Sequence, residues 1–469
     1  MEDNKIVGRR RECSVLSRLM KSAESEFVVV YGRRRVGKTF FINRYFNDDF
    51  AFKLTGLAEK NKEMQLQNFA DALLRFTKTQ FTVPKTWFEA FNQLRNMLEN
   101  KKSDKKKVVF IDELSFMDTP RSGLITALEH FWNDWASTRN DIILIICCSA
   151  TSWISNKILK NHGGLHNRVT CRLYIKPFTL AETKEYIRYK GLQMEEKEIA
   201  ECYMIMGGIP YYLKHLQKGK SLAQNIDSIF FRRKEGLDGE FENLYASLFK
   251  NSENYVKVIE ALSSKNKGLT RKELLEKTCL IDNGHFAQIL TDLDDCDFIR
   301  KYRGYGKNER QSLYQLTDFY SFFYFKYIKK YKSADKEFWI HQINTPSYNA
   351  WAGYAFEQLC LYHHSRIENT LGISGIQTEI FAWNGQHAQI DLVIKRADKV
   401  INVCEIKFCE SEFVITKKYR DEIINKINAF RRENKIRWAI HLVMITANGL
   451  YPTEYSSLVQ NEVFLSDLF

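Results

Sequence analysis

From Ile390 to Phe408 the chain reads IDLVIKRADKVINVCEIKF, two apolar runs joined by a polar turn, with Asp391 on the first and Glu405 and Lys407 on the second. Strand side chains alternate, so Glu405 and Lys407 emerge on one face, and an antiparallel partner brings Asp391 beside them. Upstream, GYAFEQLC at Gly353 to Cys360 begins an amphipathic helix that carries Glu357. Crowded carboxylates repel when ionised and call for a hard divalent cation such as magnesium, with manganese as a substitute. Glu357, Asp391 and Glu405 are therefore the expected metal ligands. Lys407 would steer or deprotonate a water, or steady the charge on a reacting phosphate. This is chemistry for phosphodiester cleavage; a folded domain that binds DNA and cuts nothing would carry the same residues.

A second constellation lies near the beginning. Gly32 to Thr39, GRRRVGKT, satisfies G-x-x-x-x-G-K-[ST] between the apolar run FVVVY and the helical stretch FFINRYF. That context turns backbone N–H groups towards phosphates at a helix N-terminus, with Gly32 and Gly37 allowing the loop its shape. Lys38 should reach the β- and γ-phosphates of ATP, and the Thr39 hydroxyl should ligate magnesium. Downstream, VVFIDEL places Asp112 and Glu113 at the end of an apolar strand, where parallel sheets have their ligand crevice. Asp112 would hold magnesium through a water and Glu113 would polarise the attacking water, although strand-end acids can also cap a helix.

Together with IVGRRRE (Ile6 to Glu12), IILIICCSA ending near Ser149, HNRVTCRLYIKPF and GGIPYYL, these motifs resemble the archaeal-type ATPase family, of the signal-transducing, origin-recognition-like branch of AAA+ P-loop ATPases. The resemblance covers roughly the first half of the chain. It implies that Val7, Gly8 and Arg9 lie against the adenine, that Ser149 is a sensor beside the γ-phosphate, and that Gly208 and Pro210 line the base from a lid. It also makes Arg168 a charge-sensing candidate, with a surface ion pair as the alternative. Cys147 and Cys148 stand before Ser149 where the family often has glycine. In the last quarter, Glu357, Asp391, Glu405 and Lys407 are similar to the PD-(D/E)xK nuclease superfamily, without its usual proline before the aspartate. Archaeal-type ATPases frequently carry such a domain.

The elements that must position these residues follow from periodicity. Apolar strands alternating with amphipathic stretches predict an α/β, P-loop parallel-sheet ATPase core over residues 1–177. Helical spacing predicts a lid over 178–250. Three helical stretches and a hairpin predict a winged-helix middle domain over 251–335, which includes the aromatic run DFYSFFYFKYIKKYK. That run would be a helix packed between domains, or else a stacking surface for bases. A C-terminal α/β restriction-endonuclease-like domain takes 336–469. There Lys417, Lys418 and Arg420 open a helix as a phosphate-positioning edge or a solvated face, and His363-His364 lacks further metal-ligand spacing.

The chain has 469 residues, a formal net charge of +13, 44% hydrophobic and 27% charged residues. This is the balance of a globular, multidomain chain, and the charge favours a polyanionic partner such as DNA. Ten cysteines without a C-x-x-C pair exclude a zinc ribbon and suit buried thiols in a reducing cytoplasm. No run is long enough to span a bilayer as a helix, so no membrane partner is expected. Assembly into a homo-oligomer is left open.

Overall fold

The computed structural model describes residues 5–79, 81–149, 151–159, 164–165, 167–232, 236–331, 335–386 and 388–469. Ala150, His166 and Lys332, each part of a stretch quoted above, lie outside them. The chain divides into two compact units, Met1–Pro177 and Phe178–Phe469.

In the first unit, β1 (Glu26–Tyr31), β2 (Phe52–Thr55), β3 (Lys107–Asp112), β4 (Ile142–Cys148) and β5 (Cys171–Tyr174) form one parallel sheet in the order β2-β3-β4-β1-β5. All residues of β3 and β4 are buried, as near-continuous apolar runs should be when helices cover both faces. Phe27, Val29, Val109, Ile111, Leu144 and Ile146 belong to one core cluster. Because β4 is inserted between β1 and β3, its end emerges between the phosphate loop after β1 and the acid pair after β3. Crossover connections place those three ends on one edge of the sheet.

The second unit opens with the helices Leu180–Tyr189 and Glu196–Met206, the first started by a capping box in which Thr179 and Glu182 bond each other's backbone N–H. Three helices, Ser252–Ser263, Arg271–Thr278 and Gly284–Asp295, then accompany a small antiparallel sheet of β6 (Leu269–Thr270), β7 (Ile299–Tyr302) and β8 (Leu313–Leu316), ordered β6-β8-β7. The aromatic run is core: Phe319, Tyr320, Phe323, Phe325 and Tyr327 are buried, and their rings pack closely, Tyr320 tilted against Tyr212 at 4.8 Å and Phe323 edge-to-face with Trp339 at 5.0 Å. Of its two readings, the packed helix is the one observed.

The last part is a mixed sheet ordered β15-β13-β11-β10-β9, from β9 (Thr378–Asn384), β10 (Gln389–Arg396), β11 (Val400–Lys407), β13 (Ala439–Thr446) and β15 (Asn461–Phe464). β12 (Phe413–Val414) and β14 (Leu450–Tyr451) pair separately. β10 runs antiparallel to both β9 and β11, while β13 lies parallel to β11 and β15 to β13. The helix Pro346–Tyr362, capped by Thr345 with proline at its first position, carries Glu357, and its Phe356 ring lies 5.1 Å from that of Phe408, just past β11. On another side of the sheet, Ile423 and Phe430 of the helix Lys417–Glu433 pack with Val393 and Val403.

Candidate functional site

The phosphate loop is shaped by two glycines with different tasks. Gly32 has φ +143°, and a Cβ there would stand 2.3 Å from the Ile175 carbonyl oxygen, so only glycine lets the loop leave β1 beside the end of β5. Gly37 has φ +85° at the N-cap of the helix Lys38–Tyr45, with open space where a Cβ would be. Its left-handed turn aims the first N–H groups of that helix outward, ready for an anion. Lys38 is buried, and its Nζ donates to the carbonyls of Gly32 at 2.8 Å and Arg33 at 2.9 Å. The ammonium thus lies folded across the loop it is meant to serve.

The Thr39 hydroxyl donates to Asp112 Oδ2 at 2.8 Å, joining the two residues expected at magnesium. Burial raises the Asp112 carboxyl above its usual range, with Thr39 opposing and Glu113 adding to the effect. Glu113 follows with a left-handed backbone, φ 48°. Its carboxylate accepts from the Ser149 hydroxyl at 2.6 Å and from the Ser149 N–H at 3.2 Å. The sheet order explains this contact, since β4 and β3 are neighbours and their ends meet. Arg9, also left-handed at φ 56°, is buried; it donates to Val36 O at 3.1 Å and Lys176 O at 2.7 Å, bracing the phosphate loop. Val7 is buried beside it in sequence, and Gly8 has φ 65°. Arg168 is exposed in the turn that leads into β5.

In the second unit, Gly208 has φ +64°, and a Cβ would stand 2.3 Å from the Phe178 carbonyl oxygen. Its own carbonyl accepts from Phe178 N–H, and Pro210 opens the short helix Pro210–Leu213. These two residues shape the start of that unit.

Asp391, Glu405, Glu357 and Lys407 share one neighbourhood. Leu392 pairs with Cys404 across β10 and β11, and continuing that register by one residue sets Asp391 opposite Glu405. Glu357 is pushed up to about 8, by burial first and then by the Asp391 charge, against the pull of Lys407 and Lys267. Asp391 is raised by burial and by Glu405, opposed by Lys426, Lys267 and Lys407. Acids that hold one another's protons on are acids whose ionised forms want a cation. Even so, among the described residues no three acidic, histidine or cysteine side chains are grouped as a ready metal cage. The reason lies at Glu405. It is 3% exposed and both its oxygens accept from Lys426 Nζ at 2.9 Å, while the Tyr419 hydroxyl donates to it at 3.0 Å. An ammonium stands where the ion was expected. The donor set is all hard oxygen, which fits magnesium, and Glu357 and Asp391 remain beside it. Lys407 Nζ lies 5.0 Å from the centre of the Tyr419 ring, on the flank of the same cluster.

Lys426, Tyr419 and Lys267 escape the sequence reading. A signal for the first exists: Tyr419, Ile423, Lys426 and Phe430 fall on one helical stripe, where a lysine among apolar residues needs an acid to face. Of the basic residues singled out on that helix, Lys417 and Lys418 are exposed, and Arg420 is bound to Asp421 at 2.7 Å. His363 is structural: one ring nitrogen accepts from Leu180 N–H at 3.1 Å and the other bonds Leu359 O at 3.0 Å. All ten cysteines are free thiols. Among the described residues no helix is long and apolar enough to cross a membrane.

With a parallel sheet, a phosphate loop and a strand-end acid pair in place, the first unit has the parts of a P-loop nucleotide hydrolase. Residues 6–216 match the family of ATPase domains found predominantly in Archaea, so this chain carries an archaeal-type ATPase domain. A relative in Methanocaldococcus jannaschii, the uncharacterized protein MJECL04, is 25% identical over 423 residues, 89% of this chain and 90% of its own. Among solved structures, the Walker-type ATPase PABY2304 of Pyrococcus abyssi is similar at 16% identity and a TM-score of 0.49, over 69% of this chain and 97% of that one. The ORC2 protein of Aeropyrum pernix is similar at 14% identity and a TM-score of 0.42, over 67% and 92%.

Proposed function

We propose that this protein is an ATP-driven switch or motor whose ATPase domain governs a magnesium-dependent DNA nuclease domain at the C-terminal end. The observation that carries the reading is the gathering of Glu357, Asp391, Glu405 and Lys407 from a helix and two strands into one half-buried cluster, with Asp391 set beside Glu405 by the β10–β11 register and Glu357 lining the same cleft as Asp391.

On the ATPase side, Thr39 and Asp112 would hold magnesium, which when bound neutralises phosphate charge. Lys38 exchanges the loop carbonyls for phosphate oxygens, and Glu113, oriented by Ser149, takes the proton of the attacking water. Arg168 is the candidate for stabilising the transferred phosphoryl group, and Val7 and Gly8 for contacting the base. On the nuclease side, Glu357, Asp391 and Glu405 would ligate the metal, which polarises the phosphate. Lys407 supplies positive charge beside it.

Plasmid and branched DNA incubated with magnesium or manganese, with and without ATP, test both sites together. Metal-dependent nicking that vanishes in Asp391→Ala and Lys407→Ala is expected, as is loss of phosphate release in Lys38→Ala. Unchanged cutting in both nuclease variants would remove the site. A second reading, a regulatory ATPase whose C-terminal domain binds DNA or a partner without cutting, is favoured by the Lys426 ammonium seated on Glu405. It predicts no nicking under any metal.

A further inference from the structure

Glu357 and Asp391 line a cleft of about 710 Å³ together with residues of the three-stranded β6–β8 segment. That volume falls within the range of about 300–1,000 Å³ typical of sites that engulf a ligand of small-molecule size. It admits a nucleotide or two of an unpaired strand, whereas a duplex is read by elements laid into its grooves. Lys267, Lys272, Arg300 and Lys307 line this cleft, as do Ala350, Gly353 and Leu361 of the helix that carries Glu357. Cationic and apolar lining residues suit the phosphates and the bases of a single strand respectively.

The cationic lining is tied to the acidic one. Arg300 donates through Nε to Gln315 Oε1 at 2.8 Å; Gln315 Nε2 donates to the Tyr354 hydroxyl at 3.1 Å and to Asn266 O at 2.8 Å. Tyr354 stands one helical turn before Glu357. Lys267, next to Asn266, lines the same cleft as Glu357 and Asp391. A fixed hydrogen-bond chain therefore sets the spacing between the lysines and the acid cluster.

We infer that this cleft is a binding site for single-stranded DNA, in which Lys267, Lys272 and Lys307 hold phosphates and pass the strand across Glu357 and Asp391. The inference deepens the nuclease reading, but binding is measurable without cutting. The full-length protein is titrated into a fluorescein-labelled single-stranded oligonucleotide in EDTA, and anisotropy is followed at several salt concentrations. Each phosphate contact contributes about 0.7 to the slope of log K against log salt on a single strand. The combined Lys267→Gln, Lys272→Gln, Lys307→Gln variant should therefore lose about 2 from that slope and bind at least tenfold more weakly. Lys101→Gln with Lys102→Gln, exposed charges of the first unit that do not line the cleft, should bind as the parent does. Equal losses in the two variants, or parental binding by the cleft variant, would overturn the inference, as would stronger binding of an RNA or duplex of the same sequence. Binding that passes this test with no nicking in metal would retain the cleft and dismiss the nuclease; nicking with no cleft-dependent binding would do the reverse. Circular dichroism confirms that the cleft variant is folded, and Lys267→Arg, which keeps the charge, should restore the slope.

Discussion

Glu113 and Ser149 are 36 positions apart, yet one hydrogen bond of 2.6 Å joins them, and it fixes where the proposed general base points. Replacing Glu113 with glutamine keeps the shape and the Ser149 contact but removes the proton acceptor. ATP turnover should fall by about 100-fold or more while binding of a fluorescent ATP analogue is retained. Turnover at the parental rate would show that another group accepts the proton. At the proposed metal cluster, Lys426 neutralises Glu405 from a position that a metal would contest. Lys426→Met leaves Glu405 buried without its cation, so stability in EDTA should drop by about 3 kcal/mol. Magnesium should restore much of it, widening the gap in Tm between EDTA and magnesium relative to the parent; no widening would remove Glu405 as a ligand. These residues differ in how far the sequence revealed them. Gly32 to Thr39 is contiguous and contained its own context, whereas the Glu113–Ser149 contact depends on β4 lying between β1 and β3, an order that no local pattern encodes. Lys426 sits on a helix rich in basic residues, and only its place on the apolar stripe distinguishes it.

Among the elements, the helix Pro346–Tyr362 has to hold Glu357 against the sheet, and His363 at its C-terminal end pins it by accepting the Leu180 N–H. Burial holds the imidazole down to about 4, and the neighbouring Arg366 and His364 add to the effect; the rings of Tyr203 and Tyr362 pack around it. Above pH 6.5 the ring is neutral folded or unfolded, and nothing is lost. As pH falls below 6.5 the unfolded chain takes up a proton that the folded chain refuses, so stability declines down to about pH 4. A folded value of about 4 against 6.5 corresponds to about 3 kcal/mol. Urea denaturation of His363→Gln should lack that part of the decline between pH 7 and 4.5, and parallel curves for parent and variant would refute the account. β10 and β11 were legible as near-continuous apolar runs, and β11 is buried from Ile401 to Ile406; the helix, expected to be amphipathic, is instead buried on most sides, Ala355, Phe356, Gln358, Leu359, Cys360 and Leu361 all lying inside. The aromatic run from Asp318 was ambiguous because a stacking surface and a core helix have the same composition; only neighbours such as Tyr212 and Trp339, distant in sequence, decide between them.

At the scale of the whole molecule, an ATPase domain and a candidate DNA site share one chain with a net charge of +13. If ATP governs what happens to DNA, the two ligands must be thermodynamically linked, and linkage is reciprocal: the factor by which ATP changes the affinity for DNA equals the factor by which DNA changes the affinity for ATP. Long-range attraction from net charge alone would strengthen DNA binding without this symmetry, and would fade uniformly with salt. The Glu113→Gln variant permits the measurement, because ATP persists on it. Its affinity for a single-stranded oligonucleotide with and without saturating ATP, and for ATP with and without saturating oligonucleotide, should change by the same factor, between about 5- and 150-fold for a coupling of 1–3 kcal/mol. Asp391→Ala added to this background should preserve the factor, since it removes a ligand of the cutting site and leaves the lysines of the cleft in place. The three-lysine cleft variant should bring the factor to one. Affinities that respond to neither ligand would make the two sites independent tenants of the chain, and the ATPase would then govern something other than DNA.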